Sequence, residues 1–132
     1  GPRFAYGAAV TGTVLVKVGN FTFSANAITS ATRVTGGGGS LNAQTTVKFE
    51  NASVQVGANS IGLNTAYLPN FHLMNDKGVS VTLNEQSTTG DGVSSRGRVA
   101  SAVHIRLLNV PVNLGVLNGD IYIGRTYAQL KG

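Results

Sequence analysis

The sequence predicts an all-β protein, an antiparallel β-sandwich or a flattened barrel. Three observations predict it. Short apolar runs alternate with a period of two. Breaks rich in Gly and Asn separate them at short intervals. No segment sustains a helical period.

The elements follow in order. In "AVTGTVLVKV", Val10, Val14, Val16 and Val18 fall on one side of a two-residue period. Thr11, Thr13 and Lys17 fall on the other, with Leu15 the exception. "FTFSANAITSATRVT" comes next, rich in β-branched and aromatic residues. "TGGGGSL" reads as a mobile hairpin loop. A phosphate cradle would need a following helix and usually a Lys, and the sequence offers neither. "AQTTVKFENASVQV" and "AYLPNFHLM" continue the pattern. In "GVSVTLNEQ", Val79, Val81 and Leu83 are expected inward, and Ser80, Thr82 and Asn84 outward. In "RVASAVHIRLL", Val99, Val103, Ile105 and Leu107 form the expected core side, and Arg98, His104 and Arg106 the opposite side. "LLNVPVNLGVL" is apolar but interrupted, so it reads as packed coil or an interaction patch. In "GDIYIGRTYAQL", Ile121, Ile123 and Tyr127 are expected to align, with Arg125 between them.

A chain of 132 residues fits one domain. It divides into an N-terminal strand or extension over residues 1–18 and a β-sandwich over residues 19–132. Only 11% of the residues are charged, against about 25% in ordinary proteins. The surface must therefore be built from Thr, Ser, Asn and Gly, a composition common in secreted β-proteins. The formal charge of +5 is a thin excess over so few charges. Cysteine is absent, which removes a disulfide framework and a thiolate metal site. No apolar run reaches the ~20 residues needed to span a bilayer, so no membrane span is expected. The chain starts without Met. Gly1-Pro2 reads as a protease scar or as residues left by a signal peptidase, and the second reading is favoured.

Candidate chemistry is sparse. The carboxylates Glu50, Asp76, Glu85, Asp91 and Asp120 are scattered one per segment. A glycosidase needs two flanking one bond; Glu50 with Glu85 across a sheet is the pair considered. Asp91 in "TTGDGV" reads as a turn residue, without calcium-loop spacing. His72 and His104 are too few for a histidine metal site, and His72 is expected to be half-buried. No G-x-S-x-G elbow supports a nucleophilic Ser. Arg96, Arg98, Arg106 and Arg125 could form a basic strip, but no exposed aromatics interleave with them. No catalytic residue, cofactor, metal site or nucleic-acid partner is therefore expected. Asn20-Phe21-Thr22 and Asn51-Ala52-Ser53 match the glycan acceptor pattern, making Asn20 and Asn51 candidate attachment sites.

The C-terminal half carries a resemblance. "VSVTLNEQSTTGDG", then "ASAVHIRLL", then "GDIYIGRTYAQ" is similar to the closing signature of the choice-of-anchor P family of secreted bacterial surface domains. The matching positions are Thr82, Leu83, Asn84, Glu85 and Gln86; Ala102, His104 and Leu107; and Asp120, Ile121, Ile123, Gly124 and Ala128. "ANAITSATRVTGGGGS" is similar to an earlier stretch of that family, so the likeness covers residues 25–130. It implies an exported β-domain held at the cell surface by a separate C-terminal anchor, and it implies no catalytic residues. This sequence reaches Gly132 without a sorting signal or stalk. Attachment is then expected to come from partners.

The resulting expectation is an exported, non-catalytic subunit, outside the cell or on its surface. It would assemble into a filament or coat by β-strand addition, as a homo-oligomer or homopolymer. The assembly residues would be Phe4, Tyr6, Val10, Val14, Leu15, Val16 and Val18, on a strand completed within the chain or exchanged with a neighbour. Burying the four Val and Leu15 would supply on the order of 10 kcal/mol before ordering costs. The alternative is a monomeric secreted β-sandwich that binds a glycan or other surface ligand through its Gly-rich loops.

Overall fold

The computed structural model describes residues 3–37, 39–63, 67–112 and 115–131, and Gly1-Pro2 lies outside them. Among these residues the strands are β1 (Arg3–Thr11), β2 (Val14–Val18), β3 (Phe21–Ala25), β4 (Ala27–Gly37), β5 (Ser40–Glu50) and β6 (Ser53–Val56). They continue with β7 (Asn59–Gly62), β8 (Phe71–Asp76), β9 (Val79–Thr89), β10 (Ser95–Val112) and β11 (Gly115–Lys131). The chain is all-β, and every pairing is antiparallel. Three sheets form, in the orders β1-β4-β5, β11-β10-β9-β8 and β2-β3-β6-β7. None closes into a barrel, which leaves the sandwich of the two architectures expected.

Turn chemistry accounts for the breaks. Gly19, Gly57 and Gly78 end strands at positive φ, as do Asn51 and Lys77. "TGGGGSL" is tighter than a loop: Gly36 and Gly37 belong to β4, and Gly37 pairs with Ser40. In the interrupted stretch "LLNVPVNLGVL" the described residues are strand, not coil. It continues β10 and starts β11, with a register shift between Leu107 and Val110 where Asn109 takes φ 52°.

The long four-stranded sheet forms one layer, and the other two sheets cover different halves of it. The main core joins Phe21, Phe23 and Val54 to Val81, Leu83, Val103 and Ile105. A smaller core joins Val34, Leu41 and Ala128. Between them lies a layer of hydroxyls. Thr126 on β11 meets Thr32 at 2.7 Å and Ser30 at 3.5 Å, and Thr32 meets Thr45 at 3.2 Å. Ser30, Thr32 and Thr126 are buried, so these bonds satisfy groups that water does not reach.

Two expectations about faces are corrected. The run Val10 to Val18 is not one strand. Gly12 and Thr13 interrupt it, β1 enters the first sheet, and β2 enters the third. Val10 consequently faces solvent, whereas Val14, Val16 and Val18 pack on the main core. The second correction lies in the long sheet. Asn84 and Gly124 take φ 53° and φ 66°, and both lie level with Ala102 of β10. A left-handed residue turns the pleat over, so the parity of inward residues changes across this row. On one side Leu83, Val103 and Ile123 are buried; on the other Thr126 and Ala128 are. Val99 and Tyr127 therefore leave the core side, and Arg98 no longer shares a face with His104 and Arg106. Gly124 also meets a packing demand, because a Cβ there would sit 3.0 Å from that of Ala102.

Candidate functional site

β1 is amphipathic in the reverse of the usual sense. Its inward positions are Ala5, Gly7, Ala9 and Thr11, all small and half-buried. Gly7 lies so close to β11 that a Cβ would collide with the Tyr127 carbonyl oxygen. The large side chains point away from the domain: Phe4 is 64% exposed, Tyr6 61% and Val10 77%. The Arg33 guanidinium stands 5.0 Å from the Phe4 ring centroid, a cation–π contact that leaves Tyr6 and Val10 without an apolar cover. On one side β1 pairs with β4 from Arg3↔Gly36 to Thr11↔Ile28. On the other it pairs with no strand among the described residues. Between Phe4 and Thr11 it carries no charge, no Pro and no bulge, the devices that normally blunt an open edge. Of the remaining candidate assembly residues, Leu15 is exposed on β2, and Val14, Val16 and Val18 belong to their own core.

A polar cluster lies on the outward side of the long sheet. Glu85 of β9, His104 of β10 and Asp120 of β11 meet diagonally there, Glu85 being paired with Ser101 and Asp120 with Arg106. The His104 Nδ1 lies 2.6 Å from Glu85 Oε2, and its Nε2 lies 2.7 Å from Asp120 Oδ1. Two carboxylate oxygens at these distances are the partners of an imidazolium with a proton on each ring nitrogen. Burial alone would lower the His104 pKa; the hydrogen bonds it donates to Glu85 and Asp120, and then their charges, outweigh it and hold the group above its ordinary value. The ring stacks on Tyr122 at 4.3 Å, and the Arg125 guanidinium sits 4.5 Å from the Tyr122 centroid. In this state the imidazole has no lone pair with which to accept a proton or bind a metal. It ties three strands together.

Other candidates disperse. Glu50 lies on β5 and Glu85 on β9, in different sheets, so the two do not face each other across one sheet. The basic strip is broken, because Arg98 faces away from Arg106 and Arg125. His72 is exposed rather than half-buried, 3.4 Å from Thr82 Oγ1. Asp91 accepts hydrogen bonds from the Ser94 side chain and from the backbone amides of Val93, Ser94 and Ser95, which hold its carboxyl well below the usual range. That is the turn role its sequence context suggested. Asn20 and Asn51 are exposed at strand ends. Among the described residues no three His, Cys, Asp or Glu side chains are grouped to hold a metal ion, and no helix is long and apolar enough to cross a membrane.

No protein-family model, curated protein or solved structure matches the chain. Asn84, Ala102 and Gly124 form the row that inverts the pleat, whereas Glu85, His104 and Asp120 meet diagonally across three strands. Sequence reasoning does not assemble this cluster, because its members are 19 and 16 residues apart and reach one another diagonally between paired strands.

Proposed function

We propose that this protein is an exported, non-catalytic structural subunit that assembles with copies of itself into an extracellular filament or surface coat by β-strand addition at β1. The observation that carries the reading is the reversed amphipathicity of β1. A strand that keeps Ala and Gly inward and Phe, Tyr and Val outward, on an unblunted open edge, is poorly explained by the stability of its own domain. It is well suited to a contact between subunits. The register beside β4 is equally open to the β1 of a neighbour, since an exchanged strand makes the contacts of the native one.

The energetics are adjusted by the fold. Val14, Val16 and Val18 are already used, so the surface left to bury is Phe4, Tyr6, Val10 and Leu15. At about 1.5–3 kcal/mol each this amounts to roughly 6–12 kcal/mol before the cost of association. That is of the same order as the cost of association, so main-chain pairing at the β1 edge must add to it. The choice-of-anchor P likeness and the scarcity of charge support an exported location.

The test is the variant Phe4→Ser/Tyr6→Ser/Val10→Ser. It leaves the inward side of β1 intact, so its thermal midpoint should stay near that of the parent, while sedimentation velocity shows association lost. Unchanged association in the variant would sink the reading. The second reading, a monomeric glycan binder, draws on a cavity of about 190 Å³ lined by Arg3, Gly36, Gly39 and Ser40 at the Gly-rich turn. A hit on a glycan array from protein that stays monomeric would favour it.

A further inference from the structure

We infer that Arg96 and Arg98 form a binding site for an oxyanion, the carboxylate, sulfate or phosphate group of a ligand from outside the chain. The site is independent of assembly through β1. Both arginines stand on the same side of β10. Arg96 pairs with Leu130 and Arg98 with Ala128, and those two partners pack in the smaller core. The side is therefore the one that faces the β1-β4-β5 sheet, and both arginines are half-buried there. Residues two apart on one strand face are roughly 7 Å apart, close enough for one anion to reach both side chains.

The two side chains lean toward β9. The Arg98 Nε donates to Thr88 Oγ1 at 3.0 Å. The Arg96 guanidinium lies against Gly92 in the β9–β10 turn, where a Cβ would collide with it. That turn is tied to β5, since the Leu41 amide donates to the Gly92 carbonyl at 2.7 Å.

What the pair lacks is a counter-charge. The chain has five acidic side chains, and each is distant or occupied. Glu85 and Asp120 are held by His104 on the opposite side of the sheet. Glu50 is at the far end of β5 from Leu41. Asp76 pairs with Val79, which lies beside Leu107 toward the other end of β10. Asp91 is the near one, and its oxygens already accept from the Ser94 hydroxyl and the amides of Val93, Ser94 and Ser95. Among the described residues neither arginine makes an ion pair. Other arginines have partners: Arg3 donates to the Lys131 carbonyl, and Arg33 and Arg125 lie over the rings of Phe4 and Tyr122. The Arg96 Nε is the one buried side-chain nitrogen or oxygen without a hydrogen bond among the described residues. A charged group left so is costly to its own fold. Burial, and then the Arg96 charge, pull Arg98 below the ordinary arginine value. An anion held by the terminal nitrogens would offset this paired charge, and each planar fork presents parallel donors to such a group.

Thermal unfolding followed by circular dichroism provides the test, with sodium sulfate or phosphate replacing chloride at constant ionic strength. The parent midpoint should rise with the logarithm of sulfate concentration. Arg96→Gln/Arg98→Gln should weaken the affinity behind that rise at least about tenfold, the loss of two charge-assisted partners. Lys17→Gln/Lys48→Gln removes the same charge from exposed positions and should respond as the parent does. Retention on dextran sulfate or polygalacturonate, but not on neutral dextran, by the parent and not by the arginine variant would assign the group to an anionic polysaccharide. A sulfate response without retention would assign it to the free ion. An equal sulfate response in the parent and the arginine variant, or an equal loss in the lysine variant, would overturn the site. A parent midpoint indifferent to both anions would overturn it without any variant.

Discussion

His104 is one of the few charged side chains whose environment constrains its ionisation. Its pKa in the folded protein lies above the ordinary 6.5. The stabilisation it brings is therefore fully present below that ordinary value and is lost as pH rises through the higher, folded one. Thermal unfolding followed from pH 5 to pH 9 should show this decline in the parent and not in His104→Gln. Equal profiles would mean that the ionic cluster contributes nothing to stability. Thr126 makes the corresponding neutral case. Thr126→Val keeps the shape but removes the hydroxyl that joins Thr32 and Ser30. Urea unfolding should register a loss of about 1–2 kcal/mol, eased because Thr32 retains Thr45 as a partner.

Strands make visible what single residues hide. Gly124 holds the pleat inversion, so Gly124→Ala should be costly twice over, through its left-handed φ and through the approach of Ala102. A loss of about 2 kcal/mol or more in the same urea measurement is expected; a neutral result would mean that the row can flatten. Here the limits of reading the sequence become clear. Val79, Val81 and Leu83, and likewise Val103, Ile105 and Leu107, declared their inward side by alternation, and the structure buries all six. Val99 and Tyr127 were misplaced because alternation is blind to one left-handed residue, and Asn84 does not advertise that it is one. Val10 was grouped with Val14 because a two-residue break preserves parity even when the chain passes into another sheet. β1 itself offers a cleaner experiment. Its inward side holds only Ala, Gly and Thr, so removing residues 1–11 should leave a folded domain by circular dichroism and near-native dispersion by NMR, now unable to associate. Collapse of the fold would make β1 a structural strand first.

At the scale of the whole molecule, the long sheet is the layer on which the other two pack. The long sheet forms one continuous layer, with an unblunted apolar strand covering one end and an apolar groove opening at the other. Low charge and the abundance of Thr, Ser, Asn and Gly keep the rest of the surface polar without strong repulsion between copies. The most direct measurement is electron microscopy of the purified parent protein across a concentration series, beside Phe4→Ser/Tyr6→Ser/Val10→Ser. Assembly through β1 predicts fibres or extended sheets in the parent above a threshold concentration and dispersed, folded particles in the variant at every concentration. Dispersed particles in the parent throughout the series, or the same fibres in both, would contradict it.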